Sequence, residues 1–281
     1  MSAVTVTFHG VRGSTPCSSP DLCGYGGNTS CVVIEHEGDA PIILDLGTGL
    51  RSYGQTVLGD EPFEATMLLT HLHWDHVQGL PFFAPIHRPG NRFAIYGPPE
   101  PDLDFGTVLG NFMKPPYFPV CCGDLIGEVT LHNAWNESFT AGSATITARS
   151  VPHTGVTNGY RIDVGGVSIA YVSDHQQPLD DPKRVDDKVM ELCADVDLLI
   201  HDAQYTPEQF AVRSNWGHCT MEYACEVAAQ SNANTLALFH HDPEHTDVRM
   251  DALLQETQAM GSRLGVPEVI AAREGESIKL I

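Results

Sequence analysis

A chain of 281 residues, 42% hydrophobic and 18% charged, carries enough apolar material for a full core, and without a break in composition it reads as one large domain over residues 1–281. No run approaches the ~18–20 apolar residues of a membrane span, and residues 1–8 have neither the basic start nor the apolar stretch of a signal peptide, so the expectation is a cytoplasmic protein with no membrane partner. Fifteen basic against thirty-six acidic residues give a formal charge of −21, which argues against a large DNA or tRNA footprint, although a local cationic centre would still admit a small anionic substrate.

Residues 4–8 alternate and predict a first strand, followed by the glycine- and proline-broken loop 10–16. A second loop, 24–30, leads into a strand at 31–35. A short apolar strand at 41–44 ends on Asp45, which can either orient a metal-bound histidine or cap a helix around 50–58. The apolar run 65–69 then opens onto Thr70-His71-Leu72-His73-Trp74-Asp75-His76, with three imidazoles and one carboxylate within six residues. Histidine and carboxylate are ligand types that zinc and similar ions prefer. His71 and His73, alternating at a strand end, can turn two rings to one ion, and Asp75 and His76 lie past the turn for a second.

A short helix over 77–83 and a strand over 93–96 come next. Residues 98–122 are rich in proline and glycine, and Tyr117 and Phe118 sit framed by prolines; the segment reads either as a stiff flap inserted over a pocket or as a packed surface excursion. From 129 onward the pattern is strand-rich, with strands at 144–151, 159–163, 167–172, 196–200 and 235–239. Four of them run into polar groups: His153, then Asp174, then His201-Asp202, then His240-His241-Asp242. Helices are predicted over 221–230 and 248–260. An α/β sandwich with its loops gathered along one edge explains that recurrence. The eight cysteines are scattered without a Cys-x-x-Cys pair, so reduced thiols are expected; Cys17 and Cys23 share a loop and are the pair that could hold a structural metal or respond to oxidants.

The ordered set His71-x-His73-x-Asp75-His76, His153, Asp174 and His240, each at a predicted strand end, resembles the metallo-β-lactamase superfamily over nearly the whole chain. The resemblance implies an αββα sandwich with a dimetal cleft along one edge of its two sheets. It assigns His71, His73 and His153 to one divalent ion, Asp75, His76 and His240 to a second, and Asp174 to both; the family places its last ligand first after the strand, which selects His240 over His241. It implies zinc foremost, with manganese as the alternative, and a role for Asp75 in orienting the attacking hydroxide. His241, Asp242 and His245 are left to support the ligands or to contact the loop of Cys17 and Cys23.

Residues 198–206 and Gly217-His218-Cys219-Thr220 resemble the ribonuclease Z-like phosphodiesterases, in which a histidine at a helix start faces the phosphate and pairs with a carboxylate. Here these are His218 and Asp202, where the group usually has a glutamate. So paired, His218 would protonate a leaving alkoxide; otherwise it caps or packs. The loops 10–16 and 25–30 resemble those of cyclic-phosphate and cyclic-nucleotide phosphodiesterases, with Asn28, Thr29 and Ser30 either near the substrate phosphate or shaping a turn, and Tyr117 and Phe118 walling a base or sugar. The expected activity is hydrolysis of a small phosphodiester, a cyclic nucleotide or cyclic ribose phosphate, by a metal-bound hydroxide. The alternatives are a thioester or lactone hydrolase of the same fold, a ribonuclease Z-like RNA endonuclease, and a non-catalytic metal-dependent sensor. A homodimer is expected by analogy alone.

Overall fold

Val4–Gly10 buries every second residue, whereas Val167–Val172 and Leu198–Asp202 are buried at every position. The first pattern fits a strand with one covered face and the second a strand covered on both. The computed structural model, which describes residues 3–281, shows the architecture that satisfies both. Two seven-stranded sheets face one another. In spatial order the first runs Ser277–Leu280, Val4–Gly10, Cys31–His36, Ile42–Leu44, Glu64–Leu68, Arg92–Gly97 and Glu128–Asn133. The second runs Glu268–Ala271, Thr235–Phe239, Leu198–Asp202, Val167–Val172, Asn158–Val164, Ala144–Ser150 and Ser138–Ala141.

Phe8, Ile34, Leu68, Ile162, Tyr171, Leu198 and Phe239 form the layer between the sheets. Outside the first sheet, Leu50 and Tyr53 of helix Gly49–Thr56 and Phe105 and Leu109 of helix Phe105–Phe112 pack on Val33, Ile43 and Ile95. Outside the second, helices Asp187–Cys193, Met221–Gln230 and Asp247–Leu264 bury Leu192, Val227 and Leu253 against Leu199, Leu236 and Val269. The result is an αββα sandwich. No helix among the described residues is long and apolar enough to cross a membrane.

Each sheet is parallel in one half and antiparallel in the other. In the parallel halves all carboxyl ends point to one edge, and the loops leaving that edge carry side chains free to converge. Ile42–Leu44 delivers Asp45 there, Glu64–Leu68 the His71–His76 turn, Val167–Val172 Asp174, and Thr235–Phe239 His240. Ala144–Ser150 is antiparallel to Asn158–Val164, as is Val167–Val172, so it runs with the latter and brings His153 to the same edge.

The structure departs from the sequence reading where local signals compete. Instead of a helix over 77–83 there is one turn, Trp74–Val77, then a 3₁₀ turn, Leu80–Phe82: Pro81 has no amide hydrogen to continue the ladder, and the Gly79 amide bonds Leu46 O at 2.9 Å. The strand expected at 196–200 lies at Leu198–Asp202, so His201 and Asp202 pair within the ladder rather than following it. Within 98–122 the chain forms helix Phe105–Phe112, capped by Asp104, whose Oδ1 accepts from the Thr107 amide at 2.8 Å. Ile169 lies in the layer between the sheets and is fully buried. Ile169→Ala should cost about 2–5 kcal/mol in urea unfolding without altering metal content.

Candidate metal centre

The geometry begins with backbone conformation. His73 is extended (φ −63°, ψ 150°) and immediately precedes the helical turn Trp74–Val77, so His71 and His73 face one side while Asp75 and His76 swing round the turn. His240 and Asp45 both adopt left-handed conformations (φ 59° and 57°), strain that non-glycine residues tolerate where the surroundings fix them.

These residues converge on the Asp174 carboxylate, which is 2% exposed. Its Oδ1 lies 3.9 Å from His71 Nε2 and 3.8 Å from His153 Nε2, and its Oδ2 lies 3.2 Å from His76 Nε2 and 3.5 Å from His240 Nε2. Asp75 Oδ2 is 3.2 Å from His76 Nε2 and 3.1 Å from His240 Nε2, and His73 Nδ1 is 3.3 Å from His153 Nε2. Four groups of candidate ligands result, His71/His73/His153, His71/His76/Asp174, Asp75/His76/His240 and Asp174/His218/His240, each with its ligand atoms within 4.8 Å of one another.

On the outer side of four of the five rings a partner fixes the tautomer. His76 Nδ1 donates to Asp45 Oδ2 at 2.8 Å, and His153 Nδ1 to Gly217 O at 2.7 Å. The Thr70 hydroxyl donates to Asp45 and therefore accepts from His71 Nδ1, at 3.0 Å. His240 Nδ1 meets Gln204 Oε1 at 2.8 Å. Asp45 also accepts from the Thr70 amide and the Tyr171 hydroxyl, both at 2.8 Å. It is thus a hub behind two histidines rather than a helix cap; helix Gly49–Thr56 starts from Thr48, whose hydroxyl is engaged by the Thr29 amide. Close approach leaves no room for a Cβ at Gly13, which would overlap the His240 ring, or at Gly217 (φ 96°), which would overlap the His153 ring.

Inward, His71 Nε2, His76 Nε2 and Asp174 Oδ2 are buried without a hydrogen-bond partner. Buried lone pairs aimed at one another are costly unless something positive lies between them, and this donor set of imidazoles and carboxylates fits divalent cations. Burial disfavours the carboxylate charge on Asp75 and Asp174, but the facing histidines outweigh it and hold both carboxyls well below their usual range. Burial likewise opposes protonation of His76 and His240, yet Asp75 and Asp174 prevail and push both upward. His71 and His153 are pushed down by burial, His153 to about 4.

Beside this cluster, His218 Nδ1 is 2.9 Å from Asp202 Oδ2 and 3.7 Å from Asp174 Oδ1. The Asp202 carboxylate is locked by backbone amides, His175 N–H on Oδ2 and Gln204 N–H on Oδ1, both at 3.0 Å. With Nδ1 engaged by Asp202, Nε2 is the ring nitrogen left to the cleft. His218 does not cap helix Met221–Gln230; Thr220 does, its hydroxyl accepting from the Tyr223 amide at 3.1 Å. The cleft holds about 680 Å³ and is lined by His73, Asp75, Asp174 and His218 together with the exposed indoles of Trp74 and Trp216.

Asn28, Thr29 and Ser30 do not line it. Thr29 and Ser30 are fully buried, the Asn28 side chain bonds Glu274 and its carbonyl accepts from the Val11 and Arg12 amides, so the loop 25–30 acts as a turn. The neighbouring loop reaches the site instead, through Ser14, whose amide donates to Asp75 Oδ2 at 2.8 Å. Tyr117 and Phe118 lie in an adjacent aromatic groove of about 580 Å³ that shares Trp74 with the cleft. Cys17 and Cys23 are free thiols, and among the described residues no ligand cluster contains a cysteine. Arg12 donates to the Asp242 and His245 carbonyls and to Gly26 O, so that stretch braces the N-terminal loops. Ser14, Gln204 and Gly217 lie inside stretches that the sequence singles out (10–16, 198–206 and 217–220) but carry no role there, and Trp216 sits beside the last of them.

Residues 47–241 match the family model described as the Beta-lactamase superfamily domain. The chain belongs to the metallo-β-lactamase superfamily. Ribonuclease Z from Natronomonas pharaonis is 23% identical over 95% of this chain and 96% of that protein, in keeping with the ribonuclease Z-like branch. Among solved structures, the metallo-beta-lactamase fold protein YhfI from Bacillus subtilis superposes with a TM-score of 0.73 at 19% identity, covering 100% of both chains. A diphosphatase from the PhnP family gives 0.70 at 19% identity, covering 99% of this chain and 98% of the other. Metal-dependent hydrolysis is the chemistry of the superfamily, and divalent metal binding follows from it.

Asp75 and Asp174 push His76 and His240 upward, and coordination requires both rings neutral, so protons compete with metal for them. Zinc affinity should therefore fall as the pH is lowered through the raised range of these two rings, which lies above that of an ordinary histidine. Calorimetry in buffers of different ionisation enthalpy checks the accompanying proton release.

Proposed function

We propose that the protein hydrolyses a small phosphodiester, a cyclic nucleotide or cyclic ribose phosphate, at a pair of divalent ions, with zinc the metal best suited to a histidine-rich donor set. The observation that carries this reading is the His218–Asp202 pair, hydrogen-bonded at 2.9 Å and 3.7 Å from Asp174, on the wall of the open cleft. A thiolate leaves readily without a proton, whereas an alkoxide expelled from phosphorus is a far stronger base and needs a donor. An acid built into the wall is of little use to a thioesterase and of great use to a phosphodiesterase.

When bound, the two ions supply an activated water and neutralise phosphoryl charge. The chain does the rest. His71, His73 and His153 would hold one ion and Asp75, His76 and His240 the other, with the Asp174 carboxylate lying between the two groups. Asp75, fixed by the Ser14 amide, orients the attacking water. Asp202 accepts from His218 Nδ1, stabilising the imidazolium that gives up its Nε2 proton to the leaving oxygen.

A small substrate suits this cleft better than RNA. None of its lining residues is lysine or arginine, so flanking phosphates of a polymer would find no counter-charge, and the net charge of −21 would repel them. Trp74 and Trp216, exposed at 75% and 59%, offer indole faces to a base or sugar. Tyr117 and Phe118 extend that apolar wall through Trp74. The similarity to ribonuclease Z and to a PhnP-family diphosphatase is in keeping with phosphorus chemistry.

The test is turnover of cyclic mononucleotides, cyclic ribose phosphates and bis(p-nitrophenyl) phosphate by zinc- or manganese-loaded protein. His218→Ala should keep its metal yet lose roughly 10²–10⁴-fold in kcat on an alkoxide-leaving substrate, and far less on a p-nitrophenolate ester. Full activity of that variant on the alkoxide substrate would remove His218 from the acid role.

A further inference from the structure

We infer that Gln204 is a positioning residue that sets His240 in its ligating tautomer and couples it to Ser14 and to the Asp202–His218 pair. Its side chain is buried, 3% exposed, and its amide lies between two groups of the site. Oε1 is 2.8 Å from His240 Nδ1, and Nε2 donates to Ser14 Oγ at 3.1 Å. An amide oxygen accepts only from a protonated Nδ1. With the proton there, the His240 Nε2 lone pair faces Asp75 Oδ2 at 3.1 Å and Asp174 Oδ2 at 3.5 Å, where a cation would lie. Turned end for end, the amide NH₂ would claim the Nδ1 lone pair and drive the ring proton onto Nε2, into the site.

The other contacts of this residue extend the coupling. Ser14, in a left-handed conformation (φ 60°), accepts from Gln204, which leaves its own hydroxyl proton for the cleft it lines, while its amide fixes Asp75 at 2.8 Å. The Gln204 backbone amide meanwhile binds Asp202 Oδ1 at 3.0 Å, so Oδ2 remains for His218. One residue thereby touches ligand His240, reaches ligand Asp75 through Ser14, and steadies the acid pair. The arrangement requires Gly13, since a side chain there would overlap both the His240 ring and the Gln204 amide oxygen.

Chelator competition with zinc on Gln204→Met and Gln204→Glu tests this independently of any substrate. Gln204→Met should weaken one of two zinc equivalents by roughly 10–100-fold and leave the other unchanged. Gln204→Glu keeps the acceptor for His240 and should bind both equivalents within a few-fold of the parent. Unchanged affinity in Gln204→Met, equal weakening of both equivalents, or a Gln204→Glu as weak as Gln204→Met would overturn the assignment. Should Gln204→Met fail to fold, two-bond ¹H–¹⁵N spectra of the zinc-loaded parent decide: a protonated His240 Nδ1 supports it, and a protonated Nε2 refutes it.

Discussion

The structure depends on one buried carboxylate. Asp174 has histidine nitrogens on both of its oxygens, and those histidines arrive from different sheets: His71 and His76 from the first, His153 and His240 from the second. An isolated ionised carboxylate at that depth would cost several kcal/mol. It is tolerable because histidines face it from both sides and hold it well below the usual carboxylate range, while it in turn pushes His76 and His240 upward; the same donor set fits divalent cations. The sandwich keeps its carboxyl-end loops along one edge, and that edge is where this charge arrangement is met.

From this follows the division of labour among the surrounding groups. Asp45, Thr70, Gly217 and Gln204 never face the cleft centre, yet each holds the far nitrogen of a ligand ring, so that four imidazoles present their Nε2 atoms inward. Asp202 plays the same part for His218, held by two backbone amides. Ligand geometry is therefore set by buried hydrogen bonds on rigid strand ends, while the exposed aromatics Trp74, Trp216 and Tyr117 lie on the connecting segments.

How much of this could be read in the sequence depended on whether the signal was local. The His71–His76 motif is dense, and strands such as 167–172 and 235–239 and the helix 221–230 carry strong periodicity; the structure has them at those residues. The apolar residues over 77–83 predict a short helix, but the proline at 81 breaks the ladder just where they continue. Ser14, Gln204 and Gly217 stand in stretches the sequence singles out, but their roles arise only when loops distant in the chain meet; Ser14 and Asp75, for instance, are 61 residues apart. Asn28, Thr29 and Ser30 have the composition of a phosphate-contacting loop, but the same residue types satisfy backbone groups in a turn, and burial decided between the two. Asp45 was legible as one of two alternatives, and its partners chose the hub.

The central claim is that a single carboxylate, Asp174, organises a two-ion centre from both sheets. The most direct measurement is anomalous diffraction at the zinc edge from crystals of the zinc-loaded protein, with bulk metal analysis alongside. The account predicts two peaks per chain, one among His71, His73 and His153 and the other among Asp75, His76 and His240, with Asp174 between them. A single peak, or a second ion bound outside these groups, would contradict it.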